Sequence, residues 1–225
     1  MNFGLIGYSG RLGTEVQDLF EENNHTCVYK YGINVEEHLA NPDVMIDCSL
    51  PEVFDKTVEM VRFFQSPLII GTTGLTEDNF KTLYALSEMV PVVQSFNFSV
   101  GIQVLLHLTK EAKNIVGADW DIEISETHHR FKKDKPSGTA LMIKDAVEKE
   151  DVNMSSLRLG NVSGDHTISF GGLGEILSIN HRALSRRTFA EGILRSAEFV
   201  KNAAPGFYTF TDILFNNSSN SLGWK

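Results

Sequence analysis

Cysteine is scarce. Cys27 and Cys48 are the only two in 225 residues. Neither stands in a metal-ligand spacing, so no metal is expected, and so few thiols fit a reducing cytoplasm. Long apolar runs are missing as well. None reaches the roughly 18–20 residues that a helix needs to span a bilayer, so no membrane partner is expected. The opening "MNFGLIGYSG" has no basic region ahead of an apolar stretch and does not read as a signal peptide. Positive charge is the third shortage: 20 Lys and Arg face 29 Asp and Glu, a net charge of −9. Binding to phosphate backbones needs a basic surface, which excludes nucleic acid as the main partner. Repeats are absent too.

The composition is that of a soluble globular protein, with 42% hydrophobic and 22% charged residues. The length suits one large domain or two small ones. Short apolar runs alternate with amphipathic ones through the first hundred residues. "FGLIG" (3–7), "TCVYKYG" (26–32), "DVMIDCS" (43–49), "PLIIGTTG" (67–74) and "PVVQSF" (91–96) read as strands. "RLGTEVQDLFEE" (11–22) carries Leu12, Val16, Leu19 and Phe20 at helical spacing. Pro51 opens a second helix, and Thr76 caps a third whose first turn holds Glu77 and Asp78. This alternation predicts a parallel sheet with helices on both faces.

The pattern changes after Asn97. Residues 99–117 read as one long helix and "WDIEISETHH" (120–129) as a half-buried strand. A helix starts near Ser137, and "SLRLG", "HTISFGG" and "GEILSINHRAL" look like sheet segments. Helix returns at "TFAEGILRSAEFVKNA" (188–203), ended by Pro205-Gly206, before a polar, frayed tail at 216–225.

Three glycine-bearing turns follow strands in the first part. In "GYSGRLG" (7–13), Gly7, Gly10 and Gly13 permit a tight turn, close backbone approach to a pyrophosphate and helix–strand packing. The helix N-terminus adds N–H groups and partial positive charge. The G-x-G-x-x-G spacing is broken, because Ser9 stands where the second glycine belongs, and a plain strand–helix turn remains the alternative. No acid follows the second strand to bind a ribose 2′-hydroxyl; Lys30 or Arg11 can instead meet a 2′-phosphate, or Lys30 simply faces solvent. "GTTG" (71–74) and "SFNFS" (95–99) lie past strand ends, where ligands of open parallel sheets bind, or are ordinary turns.

"ETHHRFKKDKPSGTA" (126–140) concentrates chemistry on an acidic chain. Adjacent strand residues diverge, so His128 and His129 can share a site only where the strand breaks up. One histidine can donate a proton while the other positions, or both are structural. Ser137, Gly138 and Thr139 offer N–H and hydroxyl donors at a helix start, a cradle for a carboxylate, and Lys132 and Lys133 add full charges. Beside a dinucleotide domain, this points to hydride transfer followed by protonation.

"GYSGRLG", "GTTG", "NFSVG", "ETHHRFKKDKPSGTA" and "HRALSRRTFAEG" occur in this order, and together they resemble the 4-hydroxy-tetrahydrodipicolinate reductases of the diaminopimelate route to lysine. The likeness runs from residue 1 to about 215 and is that of a short form, compact around residues 31–43. Ser9, Phe96 in place of a small residue, and the missing acid after the second strand depart from the pattern. The resemblance implies a Rossmann-like parallel-sheet nucleotide domain (1–97), a smaller α+β substrate-binding and oligomerisation domain (98–187), and a C-terminal segment (188–225) returning to the first. It implies NADPH or NADH as cofactor, across Gly7, Tyr8, Ser9, Gly10, Arg11, Leu12, Gly71, Thr72, Thr73, Ser95, Phe96, Asn97 and Phe98, with Lys30 nearby. Hydride would reach C4 of a cyclic unsaturated dicarboxylate. His128 would protonate the neighbouring carbon, and Lys132 would bind a carboxylate. His129, Gly138 and Thr139 would hold the substrate, in a homotetramer whose smaller domain closes on the ligand. Two rivals stand beside this: another nicotinamide reductase of the aspartate dehydrogenase type, and a non-catalytic dinucleotide sensor.

Overall fold

The computed structural model of the chain describes residues 1–149 and 151–215. The expectation for the tail at 216–225 lies outside the described residues. The chain divides into two compact units, one of residues 1–98 with the segment from Phe189 on, the other Ser99–Thr188.

The first unit begins with β1 (Asn2–Ile6), α1 (Arg11–Glu22), β2 (Thr26–Gly32), β3 (Val35–His38) and β4 (Val44–Asp47). A 3-10 turn at Pro51–Val53 leads into α2 (Phe54–Phe64), so proline opens the turn before the helix rather than the helix itself. β5 (Leu68–Ile70), α3 (Glu77–Ser87) and β6 (Pro91–Gln94) follow. Thr76 caps α3 in a reciprocal box with Asn79, satisfying two otherwise orphaned donors.

The second unit holds α4 (Val100–Val116), β7 (Asp121–His128), α5 (Gly138–Val147), β8 (Asn153–Arg158), β9 (Asp165–Gly171) and β10 (Ile176–Arg182). Its four strands are ordered β10-β9-β7-β8, with only β7 and β8 parallel. Ile122, Ile124, Ile168 and Phe170 on one face pack with Leu105 of α4 and Ile143 and Val147 of α5. Each such fully buried side chain contributes about 1.5–3 kcal/mol.

The chain then returns to the first unit through α6 (Arg187–Val200), β11 (Gly206–Thr209) and α7 (Phe210–Phe215). The first unit's sheet has the order β11-β6-β5-β4-β1-β2-β3, parallel except for the β2–β3 hairpin. Its inner strands are apolar on both faces. Leu5, Ile46, Ile69 and Val93 meet Val16 and Phe20 of α1, Ile193 of α6 and Phe210 of α7. Their neighbours Ile6, Met45, Ile70 and Val92 meet Val58 and Val61 of α2 and Leu83 and Leu86 of α3.

Two strands depart from the sequence expectation. β3 is half charged and largely exposed, and its ladder with β2 alone makes it a strand. Gly206 does not end a helix; α6 stops at Val200 and residues 206–209 add a strand beside β6.

Candidate active site

In the first unit the glycine turn is tightly packed. Gly7 sits at φ 85°, left-handed backbone that favours glycine, and a Cβ there would lie 2.8 Å from the Cys48 carbonyl. A Cβ on Gly13 would lie 2.1 Å from the Gly7 carbonyl oxygen, so only glycine lets α1 start this close to the turn. Gly10 occupies the N-cap of α1 with no side-chain cap. The first-turn amides of α1 are therefore presented without an internal side-chain acceptor at the cap, as an oxyanion ligand requires. Tyr8 and Ser9 pack over Gly32, and the Lys30 ammonium lies 5.9 Å from the centre of the Tyr8 ring. Arg11 is exposed and Leu12 is half-buried against the core. Both cations thus stand at the turn itself, beside Tyr8 and at the start of α1. Acids do come near the end of β2, but through β3: Glu37 pairs with Lys30 across the ladder, and Glu36 binds Lys56 at 3.0 Å.

Asp47, at the end of β4, is fully buried. Its Oδ1 accepts from the Ser49 amide at 2.8 Å, the Ser49 hydroxyl at 2.5 Å and the Thr72 hydroxyl at 2.9 Å; Oδ2 accepts from Thr57 at 2.8 Å. Burial pushes the carboxyl above its usual range, and the donors oppose that shift. This one side chain ties the loop after β4 to the loop after β5. The Thr72 hydroxyl consequently faces inward, and the Gly71 amide donates to the Asp47 carbonyl at 2.8 Å. After β6, Ser95 Oγ is bonded within its own turn, donating to the Asn97 carbonyl at 2.9 Å. Phe96 is exposed, whereas the Phe98 ring is buried in the core against Phe210. The Phe98 side chain is thus a core element, and only its main chain can contact a cofactor.

Asp47→Asn keeps the shape but leaves one oxygen for four donors. We expect a loss of about 1–3 kcal/mol of stability, the usual cost of stranding a buried polar group, read as a lower melting temperature. Affinity for the reduced nicotinamide cofactor should fall several-fold in a fluorescence titration. Unchanged affinity in the folded variant would remove the Asp47 anchor from the cofactor site.

The second unit holds the histidine segment. β7 stops at His128, and the Lys132 amide donates back to the His129 carbonyl at 3.1 Å. The strand ends between the two adjacent histidines, and both are buried. The Lys132 ammonium is 2.9 Å from Asp134 Oδ2. Ser137 caps α5, accepting from the Ala140 amide at 3.1 Å. A Cβ built on Gly138 meets nothing within 4 Å, so the space at the first residue of α5 is open. Thr139 follows in the same first turn.

Three further side chains complete this site, and none was assigned a role from the motif. Ile122, Ile124, Glu126 and His128 alternate onto the inner face of the sheet, the last two beyond the apolar core. Glu126 Oε2 is hydrogen-bonded to His128 Nδ1. Arg158, from β8, places Nη1 2.9 Å from Oε2 and Nη2 2.9 Å from Oε1 of the same carboxylate. Although burial works the other way, Arg158 and His128 pull the Glu126 carboxyl down to about 2. His166, from β9, stacks edge-on to His128 with ring centres 5.0 Å apart, and its Nε2 is 3.2 Å from Ser137 Oγ. Burial, then the neighbouring His128, push His166 down to about 3, so it stays neutral. Burial also holds His128 below its ordinary range, with Glu126 opposing that shift. The period-2 pattern carried the signal for Glu126, since an acid in phase with Ile122 and Ile124 must be buried. Arg158 and His166 had no local signal. Among the described residues no group of three or more His, Cys, Asp or Glu is placed to hold a metal ion, and no helix is long and apolar enough to cross a membrane.

The comparisons with known proteins agree with one another. Family models described as dihydrodipicolinate reductase, N-terminus and C-terminus, match residues 26–98 and 101–214. A 4-hydroxy-tetrahydrodipicolinate reductase of Thermosipho africanus is 46% identical over 216 residues, covering 95% of this chain and 98% of the relative. One from Rickettsia bellii is 37% identical, covering 96% and 95%. Among solved structures, a dipicolinate-bound dihydrodipicolinate reductase from Paenisporosarcina sp. TG-14 superposes with a TM-score of 0.75 at 20% identity, covering 93% of this chain and 97% of that one. An aspartate dehydrogenase from Thermotoga maritima gives 0.55 at 13% identity, with 91% and 98% covered. At these identities the two structures speak for the fold alone, Rossmann-like with a second, smaller sheet.

Proposed function

The chain belongs to the dihydrodipicolinate reductase family, and from that premise we propose that it reduces 4-hydroxy-tetrahydrodipicolinate with NAD(P)H in the diaminopimelate route to lysine. The observation that carries this reading to the residues is the buried His128, bonded to a carboxylate at a strand end whose next turn brings in Lys132.

Loss of the 4-hydroxyl as water, with a proton from the neighbouring ring carbon, gives the unsaturated cyclic dicarboxylate, and a bound reduced nicotinamide would supply a hydride to its C4. Residues 7–12, 71–73 and 95–98 hold that cofactor, with the α1 N-terminus at the pyrophosphate and glycines where backbone must come close. His128 delivers a proton to the carbon next to C4, its Nδ1 engaged and its Nε2 left for transfer. Lys132 binds a substrate carboxylate. Its bond to the Asp134 carboxylate supports this reading, since a substrate carboxylate would replace one anion by another. His129 and the Gly138–Thr139 start of α5 hold the rest of the ligand, with open space at Gly138 to admit it. Residues 1–97 and 188–225 thus serve the nucleotide, and 98–187 serve the substrate and assembly. The working form is a cytoplasmic homotetramer, as expected from the family resemblance.

The test is oxidation of NADPH with substrate made in place by the preceding synthase. Steady loss of reduced-nicotinamide absorbance supports the reading. No loss with fresh substrate returns the chain to the dinucleotide-sensor alternative. Lys30 and Arg11 near the turn favour NADPH at least as strongly as NADH. Lys30→Ala should lower the NADPH-to-NADH ratio of kcat/KM, and an unchanged ratio would remove Lys30 from cofactor choice.

A further inference from the structure

We propose that Glu126, clamped by Arg158, is a positioning residue for the reaction: it fixes His128 in the Nδ1–H tautomer and sustains the imidazolium that donates from Nε2. The inference rests on the functional reading above only for the identity of the proton acceptor.

The geometry leaves His128 one orientation. Glu126 is 2% exposed and ionised, so it can only accept, and His128 Nδ1 must be the donor. The neutral ring then has its lone pair on Nε2, where the transferable proton is taken up. Gly164 flanks that edge. A Cβ there would lie 3.2 Å from His128 Nε2, so a side chain at 164 would crowd the transferring atom.

A buried carboxylate left to itself would take up a proton and lose its pull on the histidine. Arg158 prevents this with contacts to both oxygens. The guanidinium is itself held, donating at 2.6 Å to the Leu157 carbonyl and at 2.6 Å to the Asp134 carbonyl. The second of these bonds reaches the loop whose carboxylate engages Lys132. One arginine therefore braces the proton donor through Glu126 and steadies the turn that carries the candidate carboxylate-binding lysine.

The charges around His128 decide the sign of the effect. Glu126 favours the imidazolium, Lys132 and Arg158 disfavour it, and His166 stays neutral. Of the named charges around His128 among the described residues, Glu126 is the favourable one. Its loss must move the His128 titration to lower pH and leave the acid form scarcer near neutrality.

Glu126→Gln tests this in the full-length protein. We expect kcat to fall roughly 10- to 100-fold, a part of the roughly 10²–10⁴-fold that a positioned general acid contributes, with the NADPH Kd unchanged. The alkaline fall of kcat/KM should move to lower pH, which a merely structural role would not produce. Glu126→Asp, which keeps the charge on a shorter arm, should recover part of that displacement. Histidine-selective 15N NMR of the wild type is independent of both turnover and any folding defect in the variants. It should show neutral His128 protonated on Nδ1. A neutral His128 protonated on Nε2, or a Glu126→Gln protein with the wild-type pH limb, overturns the proposal. Wild-type protein that never oxidises NADPH overturns the functional reading instead, and the NMR result still judges Glu126.

Discussion

His128→Gln is expected to lower kcat about 10²–10⁴-fold, the usual contribution of a positioned general acid, while NADPH binds as before. Glutamine approximates the size of the ring and can still hydrogen-bond Glu126, but it carries no proton that titrates near neutrality. The consequence goes beyond a slower enzyme. In the wild type the acid form of His128 is lost as pH rises through its pKa, so kcat/KM should fall on the alkaline side. Burial puts that pKa below the ordinary histidine value in the ligand-free protein, and a bound dicarboxylate adds negative charge that raises it again. The alkaline limb of kcat, which reports the complex, should thus lie at higher pH than that of kcat/KM. His128→Gln should abolish both limbs. Initial rates across pH, beside a fluorescence titration with NADPH, check this. Wild-type turnover in the variant would strip His128 of the acid role.

Gly13→Ala should have the largest effect in the nucleotide half. The added methyl would stand 2.1 Å from the Gly7 carbonyl oxygen and 2.9 Å from Tyr8 Cα. Both are main-chain atoms of the turn, so no flexible side chain can yield. Either α1 draws back or the turn opens. Overpacking of this kind typically costs about 1–3 kcal/mol, or more where backbone must move, about 2–4 °C of melting temperature per kcal/mol in a chain this long. NADPH affinity should fall more than tenfold, because the α1 amides and the Gly7 backbone lose their common geometry. Gly10→Ala is the contrast. Its Cβ would lie 3.1 Å from the same oxygen, and its φ of −76° suits any residue. It should keep most of its stability. Equal losses in the two variants would show that the turn tolerates crowding and that the packing argument is wrong.

Much of the fold was legible because the parallel strands declare themselves. Five short apolar runs, all but the second followed by a turn and an amphipathic segment, have few other arrangements that bury them. β3 escaped because "VEEH" buries almost nothing and acquires strand geometry from pairing with β2. β11 escaped because its four half-buried residues begin at Gly206, directly after Pro205, and that pair reads as a stop. Asp47 was passed over inside "DVMIDCS", although a lone acid in an apolar strand calls for a full set of donors. Those donors come from positions 49, 57 and 72, spread over two loops and a helix.

By itself, the sequence determined the alternation of strands and helices, the glycine turn before α1, and the local His-Lys-Pro-Ser-Gly-Thr chemistry. All of these are written in spacings of a few residues. Tertiary structure alone decided how the histidine is armed. The register of β7 against β8 and β9 brings Arg158 and His166 to Glu126 and His128 from about 30 and 40 residues away. A buried charge is tolerable only when distant strands deliver its partners, and strand pairing, not local spacing, sets which partners arrive.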